Sequence, residues 1–375
     1  MWGPTEGKSP RARSIAFYLP QFHPVPENDQ WWGQGFTEWT NVTRARPLFR
    51  GHLQPRLPGG LGFYDLRVPE VREQQARLAR DAGIEGFCYW HYWFGNGKRV
   101  LERVFGEVVE SGKPDFPFCL GWANESWTGR WHGLDSSIIL EQNYPGKADY
   151  LDHFRSLRGA FADRRYIEVD GRKLFAIYRP ELIPDLDGFL DFWNELATNE
   201  GWKGFFFVSA NVFFDHHTHP GIEGVIPGRD LFRVMTGLGL GRTRKMIERL
   251  VRRSGRQPAR LLEQLGSRPM RRKYSDFARV WSERKLGKEM FGCVVPNWDN
   301  TPRSGRRGVV LVGSTPELFA EMVDAELKKI ADRPFDRRLL FIKSWNEWAE
   351  GNYLEPDQEW GMGYLEALRK SLLGE

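Results

Sequence analysis

The chain has 375 residues, of which 27% are charged and 41% hydrophobic, a composition that is typical of a globular protein and excludes a disordered or fibrous one. Aromatic residues make up 14%, including 16 Trp, and many of the tryptophans stand beside polar residues. No run approaches about 18 uninterrupted apolar residues and no apolar leader is visible. We therefore expect a cytoplasmic protein without a transmembrane segment.

The net charge of +5 hides an asymmetry along the chain. The stretch 227–290 contains 18 Lys and Arg against 6 Asp and Glu, so it carries +12 and the remainder carries −7. It has neither interleaved aromatic residues nor a nucleic-acid-binding motif, so we expect no nucleic-acid partner. We interpret residues 228–290 as a solvated helical insertion. Its positive charge is compatible with peripheral contact to an anionic membrane, a phosphorylated lipid or a nucleotide sugar.

The first predicted element is a strand at 14–19, followed by a long loop rich in Trp, Pro and Gly at 20–66. Short apolar runs then alternate with longer amphipathic stretches, which predicts repeated βα units. The further strands are predicted at 84–90, 116–122, 173–178, 204–210, 223–227, 291–298 and 339–345. Helical spacing fills 68–83, 101–112, 148–163, 182–201, 315–333 and 363–373.

Eight strands with helices between them favour an α/β fold, a (β/α)8 TIM barrel that forms one domain over residues 1–375. Its irregular parts would be the long loop after strand 1 and the basic insertion before strand 7. A doubly wound open sheet is the alternative, but the Gly-rich phosphate-binding turn expected after its first strand is absent. Cys88, Cys119 and Cys293 lie in predicted strands without CxxC spacing, which predicts buried free thiols.

The active site of such a barrel lies at the carboxyl ends of the strands, and polar and aromatic residues follow several predicted strands. Aromatic faces cover the C–H faces of sugars, while Asn, Glu and His bind hydroxyl groups. The candidate substrate-binding residues are Gln21, His23, Trp32, Glu38, Trp39, Tyr89, His91, Tyr92, Trp122, Asn124, Glu125, Trp127, Asn211, Asn297, Trp298, Asp299, Trp345, Asn346 and Trp348.

Cleavage of a glycosidic bond needs two carboxyl groups, and Glu347 and Glu350 in the stretch SWNEWAEG are the leading pair. At a spacing of three residues they cannot point to one side of a regular strand, so at least one must lie in the turn beyond strand 8. Glu125 and Glu38 are the alternatives.

A metal site at 215–219, with the sequence DHHTH, is a further alternative. Adjacent histidines lack the i, i+4 spacing of helical zinc ligands, so we predict no metal and no cofactor.

Six stretches together resemble the WbsX-type proteins, a family related to glycoside hydrolase family 99. They are IAFYLPQFHP (15–24), WWGQGFTEWTNV (31–42), GFCYWHYWF (86–94), LGWANESWTGRW (120–131), VPNWDNTPR (295–303) and KSWNEWAEG (343–351). The resemblance covers most of the chain and is weakest at about 228–273.

This resemblance implies a (β/α)8 barrel that cleaves α-mannosidic bonds with retention. It implies that Glu347 deprotonates the 2-hydroxyl of the sugar, which attacks C1 to form a 1,2-anhydro sugar, and that Glu350 is the acid/base. The 2-hydroxyl must be trans to the leaving group, which favours mannosides and α-rhamnosides.

WbsX-type proteins are associated with O-antigen and other surface polysaccharides, including lipopolysaccharide biosynthesis, and many are labelled glycosyltransferases. No nucleotide-sugar signature is apparent in this sequence. A glycoside hydrolase is therefore favoured, with a glycosyltransferase or transglycosylase and a non-catalytic glycan-binding barrel as alternatives.

Overall fold

The structure is a computed structural model that describes residues 9–128, 138–210, 219–228, 234–235 and 268–374. Strands β1 to β15 are Arg13–Tyr18, Gly86–His91, Phe118–Trp122, Trp127–Thr128, Ile138–Leu140, Glu168–Val169, Arg172–Ile177, Phe205–Ser209, Gly224–Val225, Met270–Lys273, Gly292–Val294, Val309–Val312, Leu339–Ile342, Asn346–Glu347 and Asn352–Tyr353. Helices α1 to α10 are Pro26–Trp32, Glu38–Arg44, Pro69–Asp81, Glu102–Ser111, Lys147–Phe161, Leu186–Asn199, Tyr274–Glu283, Thr301–Ser304, Pro316–Ile330 and Gly363–Leu373.

Eight parallel strands form one curled sheet in the order β11-β13-β1-β2-β3-β7-β8-β9. Neighbouring strands in the sheet succeed one another along the chain, with β11 and β13 placed before β1. In a doubly wound sheet the direction of this succession reverses at one point. A parallel bridge between Val225 and Met290 joins β9 to the residues before β11, so the two edges of the sheet meet there. All eight predicted strands are present.

The strands of this sheet are buried on both faces, as expected when helices cover a parallel sheet. Every residue of β2 is buried, and a Cβ added to Gly86 would lie 2.3 Å from the carbonyl oxygen of Pro117. Glycine is therefore required where β2 approaches the segment that leads into β3. Cys88, Cys119 and Cys293 are buried free thiols, as predicted.

The outer helices bury one apolar face each, and α9 also has a side-chain cap at its start. Helix α9 starts after Thr315, whose hydroxyl accepts a hydrogen bond from the backbone N–H of Leu318, and has Pro316 in its first turn. Its buried face includes Phe319, Met322 and Val323. Helix α10 occupies the predicted range 363–373 and packs on α9.

The loop after β1 contains α1 and α2. Part of the predicted basic insertion differs from a solvated helix, because β10 pairs in parallel with β12 and α7 buries Tyr274, Phe277 and Trp281. The rest of that insertion, 229–233 and 236–267, lies outside the described residues. Across the described ranges, no helix is long and apolar enough to cross a membrane.

Candidate active site

Glu347 and Glu350 lie together because the backbone changes conformation between them. Strand β13 ends at Ile342, Glu347 ends the short strand β14, and residues 348–350 form a single 3-10 turn. Gly351 follows in the left-handed region, where a Cβ would lie 2.9 Å from the Cβ of Asp299. The turn that sequence spacing required beyond strand 8 is present, and it brings the two carboxyl groups close enough for the charge of Glu347 to act on Glu350.

Glu350 is the buried member of the pair, with 6% of its surface exposed. Its Oε1 accepts a hydrogen bond from Arg303 Nη1 at 2.8 Å. Burial raises the pKa of Glu350 to about 8, the negative charge of Glu347 adds to this effect, and Arg303 acts against it. Glu350 therefore holds a proton at neutral pH and can act as a general acid.

Glu347 is partly exposed and has weaker hydrogen bonds. Its Oε1 accepts from Trp90 Nε1 and from Ser344 Oγ, both at 3.3 Å. Both donors are neutral, and both bonds are long. The two glutamates thus occupy unequal environments.

Arg303 connects Glu350 to a third carboxyl group, that of Glu38. Arg303 Nη2 lies 2.6 Å from Glu38 Oε1, which also accepts from the backbone N–H of Ala349 at 3.1 Å. Glu38 has no exposed surface, and burial raises its pKa although Arg303 acts in the opposite direction. Because Glu38 cannot reach solvent, it fixes the position of Arg303 and of the turn. Sequence reasoning placed Arg303 after strand 7 but gave it no role.

Aromatic side chains form a wall beside the two glutamates. Trp90 stacks on Phe17 with ring centroids 4.7 Å apart and meets Tyr178 edge-on at 5.7 Å. Tyr92 meets Trp127 edge-on at 5.3 Å. Burial raises the pKa of Tyr92 and of Tyr178, and the charges of nearby carboxylates raise them further. Sequence reasoning identified Tyr92 and Trp127 but missed Trp90 and Tyr178.

Three predicted residues lie on the helix-covered side of the sheet. Tyr89 packs on Phe105 of α4, and Trp122 packs on His153 of α5. The Nε2 atoms of His91 and His153 are 2.8 Å apart, and burial lowers the pKa of His91 to about 3. These side chains lie opposite to Trp90, which faces Glu347, because successive strand residues alternate between faces.

Asn124 and Asn346 are fully buried and join loops to each other. Asn124 Oδ1 accepts from the backbone N–H of Arg179 at 2.7 Å, and its Nδ2 donates to the Arg179 carbonyl at 2.8 Å. Asn346 makes the same pair of bonds to the backbone of Leu19, at 2.7 and 3.0 Å. Both amides therefore hold the strand ends in place.

Asp299 is also fully buried and is bonded on both oxygens. Oδ2 lies 2.7 Å from His52 Nε2 and from Gln54 Nε2, and Oδ1 accepts from the backbone and side chain of Thr301. Burial favours the neutral form, but the hydrogen bond from His52 and other partners hold the pKa of Asp299 below its usual range. Its backbone N–H donates to the Glu350 carbonyl at 2.6 Å, so Asp299 supports the turn that carries Glu350.

Trp39, Trp345 and Trp348 form a packed base under this turn. Trp348 Nε1 donates to Glu355 Oε2 at 2.6 Å, and its ring lies 5.4 Å from that of Trp39. Trp345 packs on Phe87 with ring centroids 5.1 Å apart. Burial raises the pKa of Glu355 to about 7, although its hydrogen-bond donors act in the opposite direction. Sequence reasoning missed Glu355, which lies only five residues beyond Glu350.

The remaining predicted residues occupy the rim or the supporting layer. The Gln21 carbonyl accepts from the backbone N–H of Glu38 at 3.0 Å, and Glu125 Oε2 lies 3.3 Å from Arg179 Nη1. His23 is buried, with Nδ1 3.1 Å from the Pro20 carbonyl. Trp32 packs near Phe36, and Asn297 and Trp298 are buried next to each other, with Asn297 Oδ1 accepting from the Trp298 N–H.

The predicted residue Asn211 and most of the DHHTH stretch lie outside the described residues. His219, at the end of that stretch, is described and has Nε2 3.0 Å from Asp187 Oδ1. In the part of the chain that the structure describes, no group of three or more His, Cys, Asp and Glu could hold a metal ion.

The fold is shared with glycoside hydrolase-like proteins. A solved structure described as a glycoside hydrolase-like protein superposes with a TM-score of 0.60 at 12% identity, covering 99% of this chain and 96% of that one. The GH99 endo-alpha-mannosidase from Bacteroides thetaiotaomicron superposes with a TM-score of 0.54 at 14% identity, covering 96% of this chain and 95% of that one. The chain therefore has a glycoside hydrolase-like fold.

The chain belongs to the family described as glycosyltransferase WbsX, which it matches over residues 14–368. Two curated relatives, both called uncharacterized protein WxcX, come from Xanthomonas campestris pv. campestris strains B100 and ATCC 33913. Each is 36% identical over 369 residues, which cover 96% of this chain and 50% of the relative. The chain thus spans about half the length of the curated relatives it matches.

Proposed function

We propose that this protein cleaves α-manno-configured glycosidic bonds, of mannose or rhamnose, with retention of configuration. The reaction would take place on a closed (β/α)8 barrel, with Glu347 as the base toward the 2-hydroxyl and Glu350 as the acid/base. The observation that carries the proposal is the environment of the pair, in which Glu350 is buried and bonded to Arg303, and burial and the charge of Glu347 raise its pKa to about 8. A carboxyl group with a raised pKa can act as a general acid near neutral pH.

In the first step the 2-hydroxyl of the sugar gives its proton to the Glu347 carboxylate while O2 forms a bond to C1. The bond between C1 and the leaving oxygen breaks, and that oxygen takes the proton of Glu350. The product is a 1,2-anhydro sugar, with Glu347 protonated and Glu350 ionised. Arg303, which lies 2.8 Å from Glu350, stabilises the carboxylate that forms.

In the second step Glu350 removes a proton from water as the water oxygen attacks C1. The bond between C1 and O2 breaks, and O2 regains its proton from Glu347, which restores both groups. C1 is inverted twice, so the configuration is retained. The first inversion requires O2 to be trans to the leaving group, which supports mannosides and α-rhamnosides over α-glucosides.

The surroundings of the pair support a sugar as the ligand. Trp90, Tyr92, Trp127 and Tyr178 provide aromatic faces beside the two carboxyl groups. Aromatic faces with a few polar groups are the usual lining of sugar sites. The name of the solved neighbour, an endo-alpha-mannosidase, supports the same substrate class.

A transferase or transglycosylase is the second candidate, favoured by the description of the family as a glycosyltransferase. The first step would be unchanged, and a sugar hydroxyl would replace water in the second step. Such a reaction would extend a surface polysaccharide of the O-antigen kind. A non-catalytic glycan-binding barrel would retain affinity for the glycan without turnover.

The proposal is tested with defined α-mannoside and α-rhamnoside oligosaccharides. We expect release of a new reducing end with the α anomer as the first product, and loss of release in Glu347→Gln and Glu350→Gln. Glu283→Gln, an exposed acid on α7, is the matched control and should keep full activity. No cleavage of any mannoside or rhamnoside by the folded protein, or cleavage that persists in both glutamine variants, contradicts the proposal.

A further inference from the structure

A pocket of about 290 Å³ is lined by Leu48, Phe49, Arg50, Arg268, Pro269 and Arg271. Of the lining residues that the structure describes, half are arginines and none is acidic. The pocket is larger than the space of a single water molecule or small ion, which needs about 10–15 Å³ on the same kind of measure. It has room for a multi-atom anion.

The segments around the pocket contain little negative charge. The loop 39–64, which supplies Arg50, has four arginines and no acid, and the segment 300–316 has three arginines and no acid. The pairing of β10 with β12 brings the second of these segments against Arg271, and the backbone N–H of Met270 donates to the Gly308 carbonyl at 2.9 Å. Three basic segments therefore meet here, and Arg303 of the second one is paired with Glu38 and Glu350.

One arginine of the pocket, Arg271, packs on an aromatic ring. The guanidinium of Arg271 lies over the ring of Phe49, 4.8 Å from its centroid. Among the described ion pairs, no carboxylate is a partner of Arg50, Arg268 or Arg271, whereas other surface arginines, such as Arg158 with Glu200, do have one. Stacking on an aromatic ring orients a guanidinium and leaves its N–H donors available.

The pocket is connected to the catalytic turn through a short chain of contacts. The ring of Phe49 stacks on that of His52 at 4.3 Å and 7°. His52 Nε2 lies 2.7 Å from Asp299, and the backbone N–H of Asp299 donates to the Glu350 carbonyl. The loop after β1 thus supplies part of the pocket wall through Phe49 and also supports Asp299 through His52. An anion in the pocket would lie at the same end of the sheet as the acid pair.

We propose that this pocket binds a phosphate or diphosphate group carried by the substrate. The proposal deepens the function proposed above and rests on it for the identity of the glycan. Three guanidinium groups match a diphosphate better than a single carboxylate, which would neutralise only one of them, and the planar fork of Arg pairs with phosphate oxygens two at a time. The substrate class is then a phosphorylated or diphosphate-linked glycan.

The test measures binding of inorganic pyrophosphate to the full chain by calorimetry at about 0.15 M salt, where long-range attraction is screened. We expect saturable binding that weakens about tenfold in Arg50→Gln and in Arg271→Gln, because each removes charge-assisted hydrogen bonds. Arg155→Gln, an exposed arginine on α5, is the control and should bind as the wild type does. Arg271→Lys should recover only part of the affinity, since an ammonium lacks the planar fork.

Competition then distinguishes the sources of the group. A nucleoside diphosphate, a lipid-linked glycan diphosphate and a sugar monophosphate each displace pyrophosphate, and the tightest competitor identifies the source. Absence of pyrophosphate binding, or equal binding in the wild type and in the pocket variants, overturns the inference. That result would leave the proposed function intact if glycosidase activity still depends on Glu347 and Glu350. Pyrophosphate binding without glycosidase activity would overturn the proposed function and leave the pocket proposal intact.

Discussion

Replacement of Glu350 by Gln tests whether the acid is protonated in the folded protein. In the folded chain its pKa is about 8, against an ordinary value of 4.5, chiefly because of burial. Below pH 4.5 the folded and unfolded chains are both protonated at this site. Between pH 4.5 and about 8 only the unfolded chain releases the proton, so the wild type loses stability as the pH rises, at up to about 1.4 kcal/mol per pH unit. Above about 8 both chains are ionised and the loss levels off.

The total loss is at most about 5 kcal/mol, which is about 3.5 pH units at about 1.4 kcal/mol each. Glu350→Gln lacks this pH dependence, and its amide oxygen can still accept from Arg303. We therefore expect the free energy of unfolding of the variant, relative to wild type, to rise by about 3–5 kcal/mol from pH 5 to pH 8.5. Urea melts at constant ionic strength, checked for reversibility, measure this difference, with Glu283→Gln as the control. A difference that is the same at every pH would refute a protonated Glu350.

Further predictions concern activity and the buried ion pairs. The kcat/KM of the wild type should fall as pH rises through about 8, since Glu350 must be protonated in the free enzyme, and a pH–rate profile measures this. Arg303→Gln should move this fall in kcat/KM to higher pH. It should also lower the free energy of unfolding by about 3–5 kcal/mol, because the buried Glu38 and Glu350 lose their cation. Arg306→Gln is the control. With an α-glycosyl fluoride, whose leaving group needs no acid, Glu350→Gln should release fluoride in its first turnover whereas Glu347→Gln should not.

The strands themselves and the turn between Glu347 and Glu350 could be predicted from the sequence because they depend on local pattern. Apolar runs and helical spacing identified all eight strands, and the spacing of Glu347 and Glu350 required a turn between them. The face of a strand was harder to predict. On β2 every residue is buried, so the alternation between Tyr89, Trp90 and His91 leaves no polar pattern to indicate which one faces the site.

The partners of the acid pair could not be predicted, since they come from distant parts of the chain. Arg303 bonds to Glu38, 265 residues away in the sequence, and to Glu350, 47 residues away. Only the fold brings these groups together. Asn124, Asn346 and Asp299 follow strands, as binding residues do, but each is buried with its hydrogen-bonding groups occupied by protein. Position at a strand end therefore does not separate a ligand-binding residue from one that supports the loop.

Methylation of the substrate at O2 tests the central claim most directly. In the proposed mechanism the 2-hydroxyl loses its proton to Glu347 and attacks C1. A methyl ether at O2 has no such proton and blocks the attack. The measurement compares cleavage rates of one α-mannoside or α-rhamnoside with and without this methyl group, with a substrate methylated at O3 as the control. We expect cleavage of the free substrate and of the O3-methylated substrate, and no cleavage of the O2-methylated substrate. Cleavage of the O2-methylated substrate at the rate of the free one would contradict the mechanism.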